Sequence, residues 1–169
     1  MTIAYRDWAP KVDATAFVAD TARVIGNVEI GARATIWYGV VVRGDVHEIR
    51  IGADTNVQDG AVIHCSYEKF GTYIGARVTV GHLALLHGCT VEDDAFIGMK
   101  ACVMDGAVVE KGGWVAAGAL VTPGKRVKSG ELWAGSPAKF FRAVTADERE
   151  GAETAMRRYV GLGREYKAQ

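Results

Sequence analysis

Three histidines, His64, His82 and His87, stand close together in a largely apolar stretch, the last two inside the run VTVGHLALLHG at residues 78–88. Neutral imidazole is the commonest side-chain ligand for a transition metal, and three protein ligands with one position left open make the frame of a catalytic ion. A helix cannot gather these rings. Five residues at helical pitch set His82 and His87 about 140° apart, nearly on opposite faces. If they act together, another scaffold must position them.

Composition narrows the choice. With 169 residues, 49% of them hydrophobic, the chain is expected to form a single domain over 1–169 with a sizeable core. Lys and Arg number 20 and Asp and Glu number 20, so no basic surface points to nucleic acid or an anionic membrane. No apolar run approaches a membrane span, and MTIAYRDWAP lacks the layout of a signal peptide, so a cytoplasmic location is expected. Cys65, Cys89 and Cys102 are odd in number and show no CxxC spacing, which predicts neither disulfides nor a thiolate zinc site.

The scaffold is written in a period of six. Val12, Val18, Val24, Ile30, Ile36 and Val42 are followed by Ile51, Val57 and Ile63, then by Ile74, Val80 and Leu86, and then by Val91, Ile97, Val103, Val109, Val115, Val121 and Val127. The phase slips between 42 and 51 and between 63 and 74, where insertions predict loops, and between 86 and 91, which is one residue short. A small residue usually stands two places before the aliphatic one, as at Ala16, Ala22, Ala34, Ala61, Ala95 and Ala107. Strand alternation points both to one interior. An all-β solenoid follows, a triangular prism whose faces are successive hexapeptides over about residues 12–130. Gly135 to Lys139 then break regular structure. Thr145 and Glu148 read as a capping box that opens a C-terminal helix over about 145–165, packed on the prism.

With three hexapeptides per coil, every third register residue shares a face, and stacked positions lie about 4.8 Å apart. His64 follows Ile63 and His87 follows Leu86, so they share a column, with Arg43 one coil below. Their spacing suits one metal held between two rings. His82 and Asp59 form a second column on the adjacent face, around a convex corner. The third ligand must therefore come from another protomer, which a cyclic homotrimer provides at three equivalent sites. Leu83 and Leu85 lend that interface an apolar component.

These residues resemble the γ-class carbonic anhydrases of the hexapeptide-repeat family. The likeness runs from the first repeats through GSPAK and the final helix. It rests on RGD at Arg43 to Asp45, NVQD with Asn56, Gln58 and Asp59, IHC with His64, and GH followed by LLHGC with His82 and His87. The resemblance implies a left-handed parallel β-helix and a zinc ion, with iron or cobalt as alternatives, held by His64 and His87 of one subunit and His82 of the next. It further implies carbon dioxide and bicarbonate as substrate and product, interconverted by a metal-bound hydroxide. Gln58 is then expected to hydrogen-bond the reacting ligand and Asn56 to shape the pocket. Arg43, Asp45 and Asp59 would make the ion pairs that hold the interface and orient the imidazoles. Tyr159 is a candidate pocket hydroxyl from the helix.

Other residues fit plainer roles. His47 is expected on a surface loop; Trp37, Tyr38 and Trp114 are expected to pack against the helix or a neighbouring subunit. The chain departs from the family in having only SYEKFGT after His64 where an acidic proton-shuttle loop would stand, leaving Glu68 and Glu48 as the nearest carboxylates. Three rival functions remain open: a hexapeptide acyltransferase with a free histidine base, a metal-dependent thioester hydrolase, and a non-catalytic trimer riveted by zinc with Cys65 as fourth ligand.

Overall fold

Nearly every register aliphatic points inward. In the computed structural model, which describes residues 1–168, Val42, Ile63, Leu86, Val103 and Val121 stack along one inner wall with no exposed surface. Ala61, Ala101 and Ala107 fill the space beside such side chains with equally little exposure. Only Val12 and Val18, in the first coil, are part-exposed. Burying one large aliphatic side chain stabilises the fold by about 1.5–3 kcal/mol, so the repeat itself is the source of stability.

The strands are short because each prism face is short; Phe96–Ile97, Cys102–Val103 and Val108–Val109 are typical. The helix-bearing face stacks Phe17–Val18, Thr35–Ile36, Asn56–Val57, Thr79–Val80, Phe96–Ile97, Trp114–Val115 and Glu131–Ala134 in parallel. A second face stacks the start of Val41–Ile51, then Val62–His64, Leu85–His87, Cys102–Val103 and Leu120–Val121. The third carries the end of Val41–Ile51, then Thr72–Ile74, Thr90–Val91, Val108–Val109 and Arg126–Val127.

Two local expectations need correction. The insertion between Val42 and Ile51 predicts a loop, yet the chain runs as one strand, Val41–Ile51, across two faces. Its neighbour Arg23–Ile30 is also continuous and pairs with both of its halves, interrupted only by an irregularity between Gly26 and Val28. His47 accordingly sits in a half-buried strand rather than a surface loop. The second concerns the breakers at Gly135 to Lys139, after which the chain first forms Lys139–Ala143, an antiparallel strand against Glu131–Ala134. The insertion after Ile63 is irregular as expected, closed by a Ser66–Phe70 bridge.

The helix α1, Ala146–Lys167, begins at the expected capping box, Thr145 with Glu148. It lies on the helix-bearing face and is seated by aromatic contacts. Trp37 is 5.2 Å from Phe17, 5.5 Å from Tyr159 and 5.3 Å from Tyr166 between ring centroids. Gly163 makes the close approach possible, since a Cβ there would fall 2.4 Å from Thr35 Cγ2. Trp37 is thus buried by the helix, while Tyr38 stays part-exposed at the next corner.

Glu148 also makes an ion pair with Arg142 at 2.7 Å. Hydrogen bonds from Arg142 first and the Thr145 backbone second bring its carboxyl down from the usual 4.5 to about 2. A depressed carboxyl pKa stabilises the fold above its unfolded value and ceases to do so as pH falls through its folded value. Glu148→Gln is therefore expected to lower the melting temperature at neutral pH. In thermal scans the gap from the parent protein should close as pH falls from 4.5 towards 2.

Candidate metal centre

The strand pairing places His64 opposite His87 in adjacent coils. Both rings leave the prism on its outer side, because Ile63 and Leu86 before them occupy the interior. His64 Nδ1 and His87 Nε2 face one another at 3.1 Å. Their other ring nitrogens are taken by carboxylates: His64 Nε2 lies 3.0 Å from Asp45 Oδ1, and His87 Nδ1 lies 2.6 Å from Asp105 Oδ1.

Those carboxylates decide where the protons are. Burial works to raise the Asp45 pKa, but hydrogen bonds from His64 and Arg43 outweigh it and the net shift is downward. At Asp105 burial is likewise overcome, here by hydrogen bonds from Ser66 and His87. An ionised carboxylate only accepts, so each ring donates its N–H to its own Asp. Burial is the leading cause that lowers the His64 pKa, which favours the neutral ring. The nitrogens left facing each other across 3.1 Å, His64 Nδ1 and His87 Nε2, are those not bonded to a carboxylate. A cation held between them would be bonded by both. Two nitrogens on one tetrahedral zinc, with bonds of about 2.0–2.1 Å, stand roughly 3.3 Å apart. The pair fits a metal by distance, by tautomer and by donor type.

Arg43 extends the chain of contacts, its Nη1 donating to Asp45 Oδ2 at 2.6 Å. At the other end Ser66 Oγ donates to Asp105 Oδ2 at 2.6 Å. Asp105 and Ser66 are the residues that sequence reasoning missed. The column count that places His87 also brings Asp105 into the next coil, two residues beyond Val103. Gly88 is the further signal, because a Cβ there would sit 2.6 Å from Asp105 Oδ1 and push the carboxylate off the ring.

His82 is not brought to this pair. It occupies the corner at the far edge of the helix-bearing face, with Nδ1 3.0 Å from Asp59 Oδ2. Among the described residues of one chain, no three His, Cys, Asp or Glu side chains converge on a metal. Beside His82 runs an amide chain under the helix: Gln58 Nε2 donates to Asn56 Oδ1 at 3.0 Å, and Asn56 Nδ2 donates to Thr79 Oγ1 at 2.9 Å. This order leaves Gln58 Oε1 as the free acceptor. Burial, then the Asp59 charge, raise the Tyr159 pKa, so its hydroxyl stays protonated on the same side as His82.

The candidate residues therefore divide into two halves. One holds Arg43, Asp45, His64, His87 and Asp105; the other holds Asn56, Gln58, Asp59, His82 and Tyr159. Leu83 and Met99, each 57% exposed, border the second half. Cys65 belongs to neither. It is buried, with Sγ 3.4 Å from the His47 carbonyl, so its thiol turns inward, away from the imidazoles. Glu48 is engaged with Arg50 and with the Tyr73 hydroxyl.

Coil geometry and outward-facing imidazoles define a left-handed parallel β-helix protein of the hexapeptide-repeat class. No family model matches the chain. It is 39% identical to the carbonic anhydrase of Geobacillus kaustophilus, over 99% of this chain and 92% of that protein. It is 48% identical to mitochondrial gamma carbonic anhydrase 1 of Arabidopsis thaliana over 96% of this chain, and spans about three fifths of that relative, 61%. A hexapeptide transferase family protein from Anaplasma phagocytophilum superposes with a TM-score of 0.93 at 50% identity, covering 98% of this chain and 97% of the other. The chain belongs to the γ-carbonic anhydrase family.

Asp105 gives a direct check on how the imidazoles are held. Carboxylates that orient metal-binding histidines typically matter by 10–100-fold in metal affinity. Asp105→Asn is expected to weaken zinc binding by about that factor while leaving the fold intact, as measured by competition with a chromogenic chelator.

Proposed function

We propose that the protein is a metal-dependent carbonic anhydrase that interconverts carbon dioxide and bicarbonate, working as a homotrimer with a site at each subunit interface. The observation that carries this reading is the facing pair of imidazoles, 3.1 Å apart, each oriented by its own carboxylate. His64 Nδ1 and His87 Nε2 would hold the ion from one subunit. His82 of the next would complete the set through Nε2, because Asp59 occupies its Nδ1. Zinc so held would supply a Lewis acid that eases the ionisation of water near neutral pH.

The protein's own groups do the rest. Asp45 and Asp105 keep the ring protons on the nitrogens away from the ion and so fix both tautomers. Gln58 presents its free carbonyl oxygen to the reacting oxygen, where it accepts a proton-bearing hydrogen bond. Tyr159, still protonated, adds a neutral donor on that side. Leu83 and Met99 become buried when subunits meet and keep bulk water from the rim. With Cys65 turned inward, no cysteine closes the coordination shell, which favours a catalytic ion over a structural rivet.

The test is stopped-flow carbon dioxide hydration by zinc-loaded protein against a chelator-stripped aliquot, with solution mass measured in parallel. Metal-dependent turnover by a trimer is the expected result. A fully loaded trimer without turnover, but with hydrolysis of acetyl-coenzyme A, would transfer the site to thioester chemistry.

A further inference from the structure

Where the chain turns onto the helix-bearing face, on the opposite edge from His82, a cavity of about 310 Å³ lies between the N-terminal half of α1 and the prism wall. Its floor is Phe96 and Trp114, stacked with ring centroids 4.6 Å apart and planes 25° from parallel. They stand in the outward column that Thr35, Asn56 and Thr79 occupy in earlier coils. Those smaller side chains let the helix settle on the wall, as it does at Gly163. Over the aromatic pair the helix presents Ala152 instead. A larger apolar residue there would fill the gap, and alanine leaves it open.

The polar groups around this gap are uneven. Trp114 and Arg149 both line the cavity, and neither the indole N–H nor the guanidinium makes a hydrogen bond or ion pair among the described residues. The two acids of the lining are already engaged: Asp94 accepts from Arg77 Nε at 2.6 Å, and Glu153 accepts from Arg157 at 2.5 Å. What remains uncommitted is donor in character with a positive charge. The volume is at the small end of ligand pockets, which run from about 300 to 1,000 Å³.

We propose that this cavity is a binding site for a small aromatic carboxylate, its ring lying on the Phe96–Trp114 stack under Ala152 and its carboxylate received by Arg149. The flat floor selects a ring, since aromatic faces pair in offset or edge contacts that an aliphatic chain cannot reproduce. The guanidinium selects an anion and offers it paired N–H donors. No metal is involved, and the site stands apart from the imidazole pair.

The experiment is a titration of the full-length, zinc-loaded protein with benzoate and with 1-naphthoate, followed by ¹H–¹⁵N spectra of the tryptophan indoles up to about 10 mM ligand. The Trp114 signal, identified by its disappearance in Trp114→Phe, is expected to shift and saturate. Benzyl alcohol, which keeps the ring and lacks the charge, should bind about tenfold more weakly or worse, and Arg149→Gln should weaken benzoate by a similar factor. Ala152→Leu should abolish the shift with zinc content and melting temperature unchanged. The same shift should persist in His87→Ala, which separates this site from anions bound at a metal. Absence of a saturating shift with either acid, or full binding by a folded Ala152→Leu or by Arg149→Gln, would overturn the proposal.

Discussion

His87→Ala is expected to abolish stoichiometric zinc binding, with affinity falling by more than about 100-fold, because it removes a ligand where the loss of an orienting partner alone costs 10–100-fold. Carbon dioxide hydration should fall to the metal-free background. The proposed trimer should survive, since the exposed apolar side chains offered to its interface, Leu83 and Met99, lie outside the imidazole pair. The informative version mixes two inactive proteins. In a cyclic trimer a His82→Ala subunit still carries His64 and His87, and a His87→Ala subunit still carries His82. Unfolding and refolding them together in equal amounts should restore about one site in four by random assembly, with zinc and activity returning in parallel. No recovery from a mixed, folded trimer would place all the ligands within one chain and refute the interface assignment.

Leu86→Ala should have the largest effect on the fold. Leu86 has no exposed surface and stacks between Ile63 and Val103 on the inner wall. Leucine-to-alanine changes in such places cost about 2–5 kcal/mol, part of it from the cavity left behind. For a domain of this size that corresponds to a drop of roughly 4–20 °C in melting temperature. The next side chain along the strand is His87, so slack at position 86 should also loosen the ring pair. Zinc affinity is expected to fall with stability in this variant, whereas Val115→Ala, on the helix-bearing face, should lower stability with little effect on zinc.

The prism was legible in the sequence because its interior accepts only one kind of pattern. A large aliphatic every six residues with a small side chain two before it has no helical reading, and counting by threes put His64 beside His87 and Asp59 beside His82. The orienting carboxylate Asp105 went unseen for a physical reason: it lies in a turn, and its role depends on Gly88 leaving room for it to lean across one coil. The Val41–Ile51 strand was misread as a loop because extra residues usually bulge from a solenoid. Pairing with the long Arg23–Ile30 strand kept these extended, a tertiary effect that no local pattern announces. The antiparallel return Lys139–Ala143 was hidden in the same way, since its Glu131–Ala134 partner decides its structure.

The long paired strands Arg23–Ile30 and Val41–Ile51 also bear on how the chain folds. Elsewhere the coils meet through pairings of two or three residues, each too short to persist alone, so a coil gains little until its neighbour is in place. In a one-dimensional array of this kind, structure spreads outward from whichever segment first becomes stable. The longest pairing in the molecule joins segments close in sequence, which keeps the entropy of loop closure low. It is the natural seed, and winding would proceed from it in both directions. The histidine coils lie immediately beyond it, and the aromatic stack and its helix come later. The histidine columns would thus be among the first parts of the solenoid to acquire their final geometry, before α1 can dock.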